Sequence, residues 1–219
     1  MSVDWAFVAQ ILPKFVPALV ITLQATLAGM VVALTLGLLL ALARRSHYRW
    51  LSWPAAGFVE FTRSTPLLVQ IYFLFYVMPG AGLRMTPLWT GIIALGLHYS
   101  AYCAEVYRAG IEGIPKGQWE AAAALNLSPV QTLRRVIVPQ AIPPVIPALG
   151  NYLIAMFKET PLLSTITVME LLNTAKVIGA ESFRYVEAIT LVGLFFLLLS
   201  LAASTAIRSL DGRLRHAWL

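Results

Sequence analysis

Apolar residues along this chain run together in long blocks rather than alternating with polar ones. Five stretches carry no charged residue: 15–43, 64–83, 85–104, 136–157 and 188–207. The shortest of them is 20 residues, and about 20 apolar residues suffice for a helix to cross a bilayer. The pattern predicts an all-α integral membrane protein with five transmembrane helices, forming a single transmembrane domain over residues 1–219.

Between the third and fourth blocks the pattern changes. Residues 117–147 read GQWEAAAALNLSPVQTLRRVIVPQAIPPVIP, overlapping a loop of about 111–140. Glu120 and four alanines, Ala121 to Ala124, open a first short helix that Leu125 closes. Asn126 suits the left-handed position after a helix end, where most residues are strained. Ser128, Pro129 and Gln131 form a capping box with proline at the first helical position, starting a second short helix. Pro139 is expected to end it, because proline disfavours helical geometry at Val138 before it. A loop with such definite local structure, and small side chains along one helix, is suited to contact with another protein.

Charge sets the orientation. With the first block followed directly by Arg44, Arg45 and Arg49, alternation places ten bases inside: those three, Arg108, Lys116, Arg134, Arg135, Arg208, Arg213 and Arg215. Lys14, Arg84, Lys176 and Arg184 fall outside, so the amino terminus is expected outside and the carboxyl terminus in the cytoplasm. This asymmetry accounts for the net charge of +6 without a nucleic-acid partner. The first block is too long, and its flanking bases lie on the wrong side, for a cleaved signal peptide. With 59% hydrophobic and 12% charged residues, no room remains for a soluble domain of useful size.

Chemistry narrows the class further. Cys103 is the only cysteine and is expected to pack as a small hydrophobe. His47, His98 and His216 lack ligand-like spacing, so no metal site is expected. No GxxxxGK[ST] loop and no Ser/His/Asp grouping is present, which argues against ATP binding in the P-loop manner and against hydrolysis by this chain. No catalytic residue is assigned.

The charges inside the blocks are where transport chemistry would sit. Lys158 and Glu159, followed by Thr160 and Pro161, lie at the end of the fourth block. Counted from Pro143 or Pro144, Lys158 stands roughly 21 Å along the helix, past the midplane toward the outside. An acid and a base together suit a small zwitterion. They point in different directions round a helix and cannot simply pair with each other. Pro161 weakens the helix and frees backbone groups for a polar ligand. Glu60 with Arg63, and Glu105 with Arg108, are spaced to pair across one turn, and Glu105 is the deeper of the two acids, a candidate pathway or gate residue. Ala25, Gly29, Ala33, Gly37 and Ala41 form a continuous small face for close helix packing, within the chain or on a second subunit. Thr167 and Glu170 have capping-box spacing before an apolar stripe that stops near Gly179, read as an external amphipathic helix.

At Glu120-Ala121-Ala122, Asn126 and Val136-Ile137-Val138-Pro139 the chain resembles the EAA signature of ATP-binding-cassette importer permeases, with Asn126 in place of glycine and valines at 136 and 138. ITLQATLAG, RSTPLLVQIYFLFY, AYCAEVYRAGIEGIPKGQWEAA and NYLIAMFKETPLLSTITVMELL extend the likeness to the polar amino-acid uptake subfamily. Within it the third and fourth segments look most like ectoine/hydroxyectoine permeases, though Pro161 stands where serine is usual. The resemblance implies a multi-pass permease of the bacterial inner membrane. Its partners would be a second permease subunit, identical or homologous, separate ATPase subunits that bind ATP and Mg, and an extracytoplasmic solute-binding protein. Glu120, Ala121, Ala122, Ala123 and Asn126 would couple to the ATPase, and Lys158, Glu159, Thr160 and Glu105 would line or gate the substrate pathway. The cargo would be ectoine or hydroxyectoine; the alternative is a polar amino acid of the glutamine, histidine or arginine type. An ATP-independent channel or secondary carrier is the reading from another class. Its usual mark is two matching halves, and here only Arg63-Ser64-Thr65-Pro66-Leu67-Leu68 echoes Lys158-Glu159-Thr160-Pro161-Leu162-Leu163. A structural scaffold would explain the loop but not the buried charges.

Overall fold

A computed structural model describes residues 4–217; side chains beyond residue 212, including those of Arg213, Arg215 and His216, lie outside the described residues. All regular structure among the described residues is helical. Helix α1 spans Trp5–Arg44, α2 Arg49–Ser64 and α3 Leu67–Tyr72, the last continuing through a π turn at Phe73–Val77 and a 3-10 turn at Met78–Ala81. Helix α4 spans Pro87–Glu112, α5 Lys116–Ala124, α6 Pro129–Thr132 and α7 Val138–Glu159. After a 3-10 segment at Thr160–Ile166 come α8, Leu171–Ser182, and α9, Tyr185–Ala217.

Each of the five apolar blocks falls on helix. Three helical stretches, 5–44, 129–166 and 185–212, are long and apolar enough to cross a membrane. A fourth candidate is α2 with 67–81, a pair bent by 109° at its break. Helix α4 is more polar, because its middle carries His98, Tyr99, Ser100 and Tyr102. It occupies the centre, packing on α1, α2, α3 and α7, so its side chains meet protein rather than lipid.

The small face of α1 finds its partner inside the chain. Ala25, Gly29, Ala33, Gly37 and Ala41 are all buried, and α1 packs most extensively on α4. A Cβ added at Gly37 would lie 2.7 Å from Cys103 Cβ and 2.9 Å from the Ser100 carbonyl oxygen. Cys103 is buried there as a small hydrophobe.

The two Thr-Pro pairs both mark a change of helix. At Thr65-Pro66 the chain turns from α2 into α3, and the Gln70 amide donates to the Thr62 and Thr65 carbonyls left open at the end of α2. At Thr160-Pro161 the α-helix gives way to 3-10 geometry.

Two local expectations are corrected. Pro139 does not end a helix: α6 runs through a π turn at Leu133–Ile137 straight into α7, which also contains Pro143, Pro144 and Pro147. The wider turn relieves the i−4 clash that proline would otherwise make. Thr167 does not cap α8; it sits at φ 69° as the left-handed stop of the 3-10 segment. Glu170 caps α8 itself, accepting from the N–H groups of Leu172 at 2.8 Å and Asn173 at 2.7 Å. Burial pushes the Glu170 carboxyl up to about 7, against the pull of those two bonds. The buried stripe of α8 stops at Gly179 as expected, and the helix ends at Ser182; a Cβ at Gly179 would come within 2.4 Å of the Tyr185 ring.

Candidate functional sites: a projecting loop and a buried polar cluster

The first site is the loop from α5 to α7. Asn126 is left-handed, at φ 53°. The N–H of Leu127 donates to the Ala122 carbonyl at 3.1 Å and that of Asn126 to the Ala123 carbonyl at 2.9 Å, the two bonds of a Schellman ending. The Ser128–Gln131 capping box is closed in both directions. Behind this surface Trp119, Leu133, Ile137 and Ala141 pack on Ile111, joining the loop to the end of α4 and the start of α7.

Glu120, Ala121, Ala123 and Asn126 are exposed, whereas Ala122 is 2% exposed and faces its own chain. Its small side chain lets α5 sit close to the rest of the molecule and leaves it no direct contact outward. Two residues not expected as contacts stand out instead, Leu125 at 74% and Val130 at 75% exposure. The signal for them in the sequence was weak: each is an apolar residue beside a helix boundary, where burial is not implied by periodicity.

The second site lies between α3, α4 and α7. The Tyr99 hydroxyl donates to the Glu159 carboxylate at 2.8 Å. Tyr102 and Tyr152 stand beside it with ring centroids 5.5 Å apart, and the His98 ring is 5.2 Å from that of Tyr102. Nδ1 of His98 is 3.2 Å from the side-chain Oε1 of Gln70, and the Arg63 guanidinium lies 5.7 Å over the Tyr102 ring. Thr160 is fully buried and donates to the Phe157 carbonyl, so its hydroxyl holds the helix end rather than facing a cavity.

Lys158 points elsewhere. It lines a cavity of about 410 Å³ between α7 and α9 with Asn151, Ser200 and Ser204. The Ser200 hydroxyl is buried with no hydrogen-bond partner among the described residues. Val145 packs at Gly110, and Glu159 meets Tyr99, in one antiparallel register of α7 on α4. Met156 packs at Gly29, the centre of the 15–43 block, and the Phe157 ring is 4.9 Å from Phe196 on α9. The first turns of α7 pack on Ile111 and Trp119.

Glu105 joins neither group. It is an ion-pair hub at the end of α1, accepting from Arg44 and from Arg108 at 2.7 Å, with Arg63 at 3.5 Å. Arg63 thus pairs with Glu105 across two helices rather than with Glu60 on its own. The hub ties α1, α2 and α4 together at one end of the bundle.

A family model described as binding-protein-dependent transport system inner membrane component matches residues 33–216. A probable amino-acid ABC transporter permease protein, y4tG of Sinorhizobium fredii (strain NBRC 101917 / NGR234), is 47% identical over 95% of this chain and 90% of its own length. The glutamine transport system permease protein GlnP of Escherichia coli (strain K12) is 33% identical over 98% of this chain and 99% of its own. The solved structure of an amino acid ABC transporter with histidines superposes with a TM-score of 0.93 at 32% identity, covering 97% of this chain and all of that one.

Proposed function

The chain belongs to the binding-protein-dependent transport system inner membrane components, as an ABC transporter permease of the amino-acid uptake type, and we propose that it carries a polar amino acid inward across five spans. It works as a transport subunit and not as an enzyme, as its relatives do. In this reading the amino terminus lies outside and the carboxyl terminus in the bacterial cytoplasm. A solute-binding protein delivers cargo to the outer face, and a second permease, identical or homologous, completes the pathway. ATP and Mg are bound by separate ATPase subunits, which grip α5 through Glu120, Ala121, Ala123 and the apolar side chains of Leu125 and Val130.

The observation that carries the reading is the single packed body running from α5 to α7. Closure of the ATPases displaces α5; the core of Trp119, Leu133, Ile137 and Ala141 is packed too tightly to absorb the motion. Helix α7 then moves as a lever, and Glu159 and Lys158 sit on its far end. Glu159 with Tyr99 offers acceptors for an ammonium group; Lys158, beside Asn151 in the separate cavity between α7 and α9, is a second pathway residue and does not hold the same ligand. Opening and closing this level to each side is a conformational equilibrium that ATP and delivered cargo bias. The Glu105 hub closes the inner end while it is intact.

The test is uptake into proteoliposomes holding the chain with its ATPase, partner permease and binding protein. ATP-dependent accumulation of glutamine, arginine or histidine is the expected result. The names of the relatives favour an amino acid over ectoine, which enters the same assay as a comparator; ATP-dependent uptake of ectoine alone would restore that narrower reading. Movement down a gradient without ATP would overturn the importer mechanism and leave a channel or carrier.

A further inference from the structure

A basic and aromatic corner joins α1 to α2, and the transport reading leaves it unused. Residues 47–51 are exposed in succession, with Tyr48 at 65% and Trp50 at 74%; Trp53, one turn on, is at 63%. Arg45 and Arg49 are exposed too. Arg44, beside them, is held by Glu105, but neither Arg45 nor Arg49 meets a carboxylate among the described residues. Their close neighbours are rings: Arg49 lies 4.3 Å over Trp53, and Arg45 lies 5.8 Å over Trp119 of α5. After Asp4 the sequence holds no acid until Glu60.

We propose that this corner binds the headgroup of an anionic phospholipid. Two features favour lipid over a protein partner. The exposed face of the first two turns of α2 is apolar, carrying Trp50, Leu51 and Trp53, while Ala55, Val59 and Thr62 turn inward onto the protein and the exposed charges Glu60 and Arg63 lie at the other end of the helix. That face continues the exposed apolar side of α1 at Leu38, Leu39 and Leu42, directly before the arginines. Indole rings at headgroup level, with two unpaired guanidinium groups beside them, are complementary to a phosphate on an acyl chain. Because Arg45 also covers Trp119, the bound lipid borders the helix on which the ATPase acts.

Native mass spectrometry of the whole transporter complex in mixed micelles of phosphatidylglycerol and phosphatidylcholine tests this. The complex is expected to retain phosphatidylglycerol in preference. Replacing Arg45 and Arg49 together by glutamine should weaken that retention by about 5-fold per arginine, roughly 25-fold for both, and leave phosphatidylcholine unchanged. Arg45→Lys with Arg49→Lys should keep most of the preference, which separates lost charge from a damaged fold, and Arg84→Gln should have no effect. Unchanged retention in the glutamine variant would overturn the proposal. So would weaker ATPase association with lipid retention intact, which would make the corner part of the ATPase contact, or displacement of the lipid by inorganic phosphate, which would make it a site for free anions.

Discussion

The projecting loop and the buried polar cluster are built on opposite plans. In the loop the turn and the caps are ordered by local bonds: Leu127 to Ala122, Asn126 to Ala123, Ser128 with Gln131. In the cluster the partners are far apart in sequence, Tyr99 with Glu159 and His98 with Gln70. The loop can therefore be exposed to solvent and still hold its shape for a partner. The cluster exists only once α3, α4 and α7 are packed, so its geometry reports the relative position of those helices, which is what a pathway must change in a transport cycle.

The largest effect should come from the loop. Glu120→Lys reverses the one exposed acidic charge of α5. If that residue is an interface hot spot worth about 2 kcal/mol, uptake and substrate-stimulated ATP hydrolysis should fall about 30-fold, with membrane insertion unchanged. Unaltered coupling would remove α5 from the contact. In the cluster, Tyr99→Phe keeps the ring and deletes the bond to Glu159. A hydrogen bond to a charged group is worth ~1.5–3 kcal/mol, so transport should drop at least tenfold while the ATPase remains associated. A drop in ATPase association instead would mean that the two regions are not separable.

The close contact that supports both regions can be tested by Gly37→Ala. The new methyl meets the backbone carbonyl of Ser100 as well as Cys103, and overpacking of about 1–3 kcal/mol should lower the melting temperature of the complex in detergent. An unchanged melting temperature would show that α1 can shift on α4. Smallest of all, Asn126→Gly should leave uptake and stability near wild type, because glycine accepts a positive φ without strain. Asn126→Val should cost about 1–2 kcal/mol, read as weaker ATPase association, since a β-branched residue opposes the left-handed turn.

That contrast also explains which readings the structure upheld. Caps written within a few residues, such as Ser128 to Gln131 and the turn at Asn126, were legible because the donors and acceptors are neighbours in the chain. Where two local signals compete, the legible one can lose. Thr167 has the spacing of a cap, yet Glu170 is closer to the N–H groups and takes them. Pro139 reads as a stop, yet a π turn upstream accommodates it. In the loop, Ala122 could not be distinguished from Ala121 and Ala123 by residue type, because only the packing of α5 on the turn at Leu133–Ile137 decides which alanine is covered.

By itself the sequence determined that this protein is helical and lives in a membrane, since uncharged blocks of 20 residues or more have no other stable use. It also determined the loop between the third and fourth blocks, whose hydrogen bonds close within five residues. Only the tertiary structure decided that the small face of α1 packs on α4, that Glu159 faces Tyr99 while Lys158 faces the cavity between α7 and α9, and that Glu105 gathers three arginines. The physical reason is the same in each case. Helical periodicity says which residues share a face, but the neighbour that face meets, and at what height, follows from how side chains of distant segments interlock.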